Sequence, residues 1–471
     1  MKMLLDGAWV ERSQQIEVRD PQDARLIDTV PRANREDMYK AIDAAVRGAA
    51  LARTMPTHQR TRILREAADN VKQRHEEFAR MISREGIKTI REARKEVTRC
   101  IETLRLSAEA AHHLEGSTIA FDQMPGSERR HGYYFREPVG IIGAITPFND
   151  PLNLVAHKVG PALAAGNAII VKPHTATPLS ALLLARACVE AGLPPGVLQV
   201  ITGRGPEVGE VLIKDPRVRM ISFTGGRQTG EMIQQQARLK KVGMELGSNS
   251  PVIVMPDADL ELAVKCSVSG AYWAAGQNCL HVQRLFLHSS IANEFIERFL
   301  ALTKAYRTGD KQDEATDMGP LINEAAALRV EKTVKEALLS GARALTGAQR
   351  EGTYFMPTLL ENVPDTSPLA LDEIYGPVTT CFRFDTIEEA LQLANAVDYG
   401  LQAGIFTRDI HTAFRAIHGL QCGGVMVNDS SDYRIDAMPF GGVKGSGIGR
   451  EGVDFALQEM TEPKVVCFNL E

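Results

Sequence analysis

Apolar residues recur at three- and four-residue spacing in three stretches near the amino end: "REDMYKAIDAAVRGAALARTM" from 35, "HQRTRILREAADNVKQRHEEFARMISREG" from 58, and "IREARKEVTRCIETLRLSAEAAHHLEG" from 90. That period predicts a helical layer over residues 35–115. A polar segment, 117–138, interrupts it, and the alternation in "RRHGYYFRE" predicts an exposed strand that needs a partner. From residue 139 short β-branched runs, "VGIIGAITP", "NAIIVKP", "GVLQVITG" and "VRMISFTG", alternate with helical ones, "TPLSALLLARACVEAG", "PEVGEVLIKD" and "RQTGEMIQQQARLKKV". Such alternation predicts a largely parallel sheet covered on both faces. A second α/β set starts near residue 247, with helices at 258–276, 291–306 and 323–341 and strands in "RLFLHS", "PVTTCFRF" and "GGVMVN". The closing "PKVVCFNL" is strand-like again, which offers a partner for 117–138 in a sheet shared between subunits.

A chain of 471 residues exceeds what one hydrophobic core usually serves, so the two α/β sets read as two large domains. The net charge of −5 comes without a basic stripe, which argues against a nucleic-acid partner. No run approaches the ~18 apolar residues of a membrane helix, and "MKMLLD" meets an aspartate after three apolar residues, so a cytoplasmic protein is expected. Seven cysteines without a paired CxxC spacing predict neither a disulfide framework nor a metal site. "HH" at 112–113 reads as helix surface.

Cys279, in "WAAGQNCLHVQRL", has glycine, glutamine and asparagine before it, as a thiol at a solvent-reachable turn should. Cys100, Cys188, Cys266, Cys381 and Cys467 sit in apolar or helical surroundings and read as packing residues. Cys422, at a glycine turn, is a weaker competitor. A free thiol is only a few per cent ionised at neutral pH, so a nucleophilic Cys279 needs help from a helix terminus or hydrogen bonds. Two accessories are available. Asn149, in "AITPFNDPLN", leaves a strand at its carboxyl end, where open α/β sheets place ligands. Glu245, in "MELGSNSP", lies among apolar neighbours at the domain boundary, where burial raises a carboxyl toward a useful base.

Seven motifs in order, "FNDPLN", "VKPHTATP", "FTGGRQTG", "MELGSNSP", "GQNC", "EIYGPV" and "PFGGVKGSG", resemble the aldehyde dehydrogenase superfamily, over residues 4–468. The look is nearest to members acting on lactaldehyde or phosphonoacetaldehyde. The resemblance implies an α/β protein with two Rossmann-like parallel-sheet domains and a small β oligomerisation element. Residues 1–116 and 139–246 would bind NAD or NADP, 247–445 would carry the nucleophile, and 117–138 with 446–471 would form the arm and tail. It implies that Cys279 attacks an aldehyde, that Asn149 and the Cys279 N–H hold the oxyanion, and that Glu245 activates the hydrolytic water. On the cofactor side it implies Lys172 at the adenosine ribose, Glu373 at the nicotinamide ribose, and Gly225 and Gly230 at the pyrophosphate. Thr146, Pro147, Phe148, Thr224 and Leu246 complete that lining. Thr175 stands where NAD-selective relatives carry a glutamate, which admits NADP, and Arg204 is placed to approach its phosphate. Ser248, Asn249 and Tyr375 depart from the commonest residues of the family.

For the substrate, Arg99, His157, His281 and Arg434 suggest a polar pocket and a small hydroxylated or anionic aldehyde. Asp150, beside Asn149, opposes an anion. Two rivals remain at this stage: a coenzyme-A-acylating enzyme, disfavoured by Glu245, and a non-catalytic crystallin-like relative, disfavoured by the trio Cys279, Asn149 and Glu245. A homo-oligomer, a dimer or a dimer of dimers, follows from the strand edges at 117–138 and 463–469.

Overall fold

A computed structural model describes residues 1–470. The helical layer consists of α1 (Arg35–Thr54), α2 (Thr57–Gln73), α3 (His75–Glu85) and α4 (Ile90–Ala110). Capping boxes fix two starts: Asn34 with Asp37 for α1, and Thr89 with Glu92 for α4. The single helix expected from residue 58 is two, broken at Arg74, whose φ of −108° and ψ of 25° are non-helical. Apolar periodicity runs through that break because both helices bury the same side.

The first sheet has eight strands, in the order Ala8–Val10, Met3–Leu5, Leu198–Val200, Ala168–Lys172, Ile141–Ile145, Met220–Thr224, Lys241–Glu245, Gly447–Ile448. The central five are parallel, and strand order reverses at Ile141–Ile145, so a crevice opens at their carboxyl ends. Both edges differ from expectation. Residues 3–10 add two antiparallel strands, while "KVGME", read as a helix end, is the strand Lys241–Glu245. Between the first two parallel strands lies α5 (Asn153–Ala164), wholly buried and therefore without the polar face that marks a helix in sequence.

The second sheet has seven strands, parallel except at one edge, and begins with Ser250–Val254, five residues after the first domain's Glu245. A third sheet joins Thr461–Asn469 to Arg130–Pro138 over nine antiparallel pairs, with Ser117–Ile119 beyond. The tail divides differently from the expected 446–471 unit. Gly447–Ile448 pairs with the first sheet, and Val453–Glu459 buries Val453 and Leu457 in the same core as α4 and α5, leaving only the last strand in the arm. Among the described residues no helix is long and apolar enough to cross a membrane, and no cluster of three or more His, Cys, Asp or Glu side chains is arranged for a metal.

Candidate active site

The first sheet ends in a row. Register pairs Ile145 with Lys172, Phe223 with Ile145, and Thr224 with Glu245, so four neighbouring strands finish together at the crevice. Facing them are segments that enter the second sheet from its amino ends: Cys279 ahead of Val282–His288, and Glu373 ahead of Val378–Phe384. The cavity between has a volume of about 810 Å³. Cys279, Glu245 and Asn149 line it, with Lys172, Thr175, Glu373, Thr146, Pro147, Phe148, Thr224, Gly225 and Leu246. Gly230 does not; a Cβ there would meet Leu246 at 2.6 Å, so this glycine serves helix packing, and its neighbour Thr229 reaches the cavity instead.

Cys279 is partly buried and ends a constrained loop. Ala274, Ala275 and Gly276 adopt φ of 50°, 54° and 66°, the left-handed region that alanine rarely enters. Asn278 accepts the Leu280 N–H at 3.0 Å and donates to Asp432. Gln277 accepts the Ile322 N–H at 3.0 Å. Contrary to the expected help for the thiolate, burial pushes the Cys279 thiol up to about 12; the Arg434 guanidinium is the largest opposing influence. Burial thus favours the neutral thiol over the thiolate at this position. Of the other cysteines, Cys100, Cys188 and Cys381 are buried and Cys266, half-buried, packs against the core of the second domain, whereas Cys467 is exposed on the arm, which corrects its reading as a packing residue.

Glu245 is the last residue of its strand, and its Oε2 is buried without a hydrogen-bond partner. Burial first, then the nearby Glu451 charge, holds its carboxyl well above the usual range. Glu451 behaves oppositely. Burial works against its charge, yet Lys158 at 2.9 Å and Arg434 at 3.4 Å outweigh this and hold it down at about 2.

Several features fit a dinucleotide. Lys172 Nζ donates only to Pro173 O, at 2.9 Å, which leaves two of its three hydrogens for a ligand, and burial brings it to about 8. The helix Arg227–Ala237 starts at Gly226 without a side-chain cap, leaving its first N–H groups open, and nothing lies within 4 Å of a Cβ at Gly226. A Cβ on Gly247 would sit 2.3 Å from Glu373 Oε2, so glycine there allows the carboxylate its place, where it accepts the Ser248 N–H at 3.0 Å. Arg329, a cavity residue beside Tyr375 and Glu373, was not legible: it comes from a surface helix with no motif around it.

The four residues suggested for the substrate lie behind this lining rather than in it. Arg99 pairs with Asp436 at 2.7 Å and with Asp150 at 3.6 Å. His157 is buried against the same Asp436 at 2.8 Å, with Nδ1 unpartnered. Burial brings His281 to about 3, and its Nε2 has no partner. Arg434 lies 3.7 Å above the Phe440 ring, 8% exposed, with Nε unpartnered. Asp436 and Asp432, both missed in the sequence, organise this shell.

Two α/β domains with a thiol, a carboxylate and an amide in the cleft between them define the class of protein. A profile of the aldehyde dehydrogenase family matches residues 9–466, and the chain belongs to that family. It is 49% identical to aspartate-semialdehyde dehydrogenase 1 of Pseudomonas canavaninivorans, covering 97% of each chain. It is 40% identical to a lactaldehyde dehydrogenase of Methanocaldococcus jannaschii, over 99% of this chain and 100% of the other. Among solved structures, glyceraldehyde-3-phosphate dehydrogenase of M. jannaschii complexed with NADP superposes with a TM-score of 0.93 at 39% identity, over 97% and 100% of the two chains.

Proposed function

We propose that this protein oxidises a short aldehyde with a polar or anionic tail to the free carboxylate, with NAD or NADP as acceptor. The observation that carries this is the shared cavity of Cys279, Asn149, Glu245, Lys172 and Glu373. Cys279 releases its proton to solvent and its sulfur bonds to the carbonyl carbon as the C=O π bond opens, while the Asn149 amide and the Cys279 N–H hold the resulting alkoxide oxygen. One such donor is worth about 2.7–4 kcal/mol. A bound nicotinamide would supply the hydride acceptor, and loss of that hydride from the carbon leaves a thioester on Cys279. Glu245 then takes a proton from water, the hydroxyl oxygen adds to the thioester carbon, and the C–S bond breaks to release the acid.

Lys172 and Glu373 hold the two riboses of the dinucleotide, and Thr175 presents no carboxylate to repel a 2′-phosphate. Arg434 supports the polar tail: a buried cation with a free Nε is an unpaired donor at the back of the site. The relatives named for aspartate semialdehyde and lactaldehyde handle tails of that kind. The unpaired cysteines suit a reducing cytoplasm. The arm leaves Tyr133, Phe135, Val465 and Phe468 exposed, with the Tyr133 ring 6.3 Å and 6.4 Å from those of Phe135 and Phe468, and a second copy of the chain covers this face.

A panel of lactaldehyde, phosphonoacetaldehyde, succinate semialdehyde and hexanal, run with each cofactor, tests the reading. Catalytic efficiency is expected to favour the polar aldehydes, with free acid as product; a preference for hexanal, or acyl-CoA formed when coenzyme A is present, would overturn it.

A further inference from the structure

The two donors of the oxyanion site come from different sheets and lie 130 positions apart in sequence, yet they must converge on one oxygen. Two buried carboxylates, one helical turn apart on α4, reach both segments. Glu92 Oε1 accepts the Ala274 N–H at 2.8 Å, at the start of the left-handed run that leads to Cys279, while its Oε2 accepts the N–H and hydroxyl of Thr89 at 2.8 and 3.1 Å. Glu96 Oε1 accepts the N–H groups of Leu152 and Asn153 at 2.8 and 3.0 Å, three and four residues after Asn149. Its Oε2 pairs with Lys88 at 2.9 Å, and Lys88 also grips Asp150, the residue after Asn149. On the next turns of the same face, Arg99 holds Asp436 and Thr103 donates to Asn153 Oδ1 at 2.9 Å. Behind this face, Ala93, Val97, Cys100 and Leu104 bury α4 in the core of the first domain. Neither Glu92 nor Glu96 lines the cavity.

We propose that α4 is the template of the oxyanion site: Glu92 and Glu96 set the separation of the nucleophile loop from the Asn149 segment, and act as positioning residues for attack on the aldehyde. This rests on the reading of Cys279 and Asn149 given above. A carboxylate is suited to the task because each of its oxygens accepts from more than one N–H, whereas an amide turns a donor toward one of them.

Glu92→Asp is the sharpest variant. Asp37 already serves the equivalent capping role at the start of α1, so the cap on Thr89 survives, but the shorter arm no longer reaches Ala274. The full-length wild type, Glu92→Asp and Glu96→Gln are compared in two reactions: single-turnover formation of reduced cofactor with excess enzyme, and alkylation of Cys279 by iodoacetamide. Oxidation needs the oxyanion donors, and alkylation needs only the thiol. Oxidation is expected to fall about 10- to 100-fold, as a misplacement near 1 Å does, while alkylation stays within about twofold. Equal oxidation in wild type and variants, or an equal fall in both reactions, would overturn the proposal. A wild type that oxidises no aldehyde would instead overturn the functional reading, and this inference with it.

Discussion

Cys279 and Glu245 share one handicap: burial favours the neutral form of both, pushing the thiol up to about 12 and holding the carboxyl well above its usual range. Glu245 is a base only when ionised, so thioester hydrolysis should accelerate as pH rises through its raised pKa. Glu245→Gln should release one equivalent of reduced cofactor rapidly and then stall, which stopped-flow absorbance at neutral pH would show; if the burst is missing, the glutamate acts before hydride transfer. Glu373 carries a stability signature of the same origin. Burial raises it to about 7, so between about pH 4.5 and 7 the folded state binds the extra proton and stability is lost as pH rises. Glu373→Gln should raise Tm at pH 8 more than at pH 4.5 while weakening cofactor binding; calorimetry at the two values gives the sign. At this scale the motifs brought together a coherent set, because they sit at strand ends where chain direction alone fixes position. Asp432 and Asp436 in the shell behind them, and Arg329 in the lining itself, were illegible: each acts through a partner distant in sequence.

Among the helices, those with a polar face were readable, and the wholly buried α5 was not. The α1 and α4 patterns survive intact, but α5 is buried all round and the strands at 3–10 are too short for two full alternations. Lys241–Glu245 was hidden by the pair Lys240 and Lys241 at its start, which prolongs the preceding helical pattern although φ of 55° at Arg238 has already ended it. The loop before Cys279 shows how an element carries chemistry. Gly276→Ala places a Cβ 2.2 Å from the Gly376 carbonyl oxygen and adds about 1–2 kcal/mol for left-handed backbone. A lower urea midpoint and loss of aldehyde oxidation are expected together; an active variant of unchanged midpoint would show that the loop tolerates a different path.

For the whole molecule, alternation of strand and helix was enough to predict two parallel sheets; the strand-like ends predicted the third, but as a sheet shared between subunits, whereas both strands pair within one chain. What contiguity in sequence misplaced was the tail, whose helix Val453–Glu459 returns to the first domain before the chain leaves for the arm. Val465→Lys with Phe468→Lys should give a smaller particle by light scattering, because two cations would then face the partner; an unchanged mass would move the interface elsewhere. The neutral state of the resting thiol also bears on how the enzyme survives. Peroxide oxidises thiolates, so burial of Cys279 would slow that reaction, and the positive charge of an oxidised nicotinamide held in the same cavity would speed it by favouring the thiolate. Inactivation by hydrogen peroxide should therefore be slow for the free protein and faster once the oxidised cofactor is added. The same burial that delays the first chemical step would spare an idle enzyme from oxidative damage, so that its lifetime under stress depends on how often it is at work.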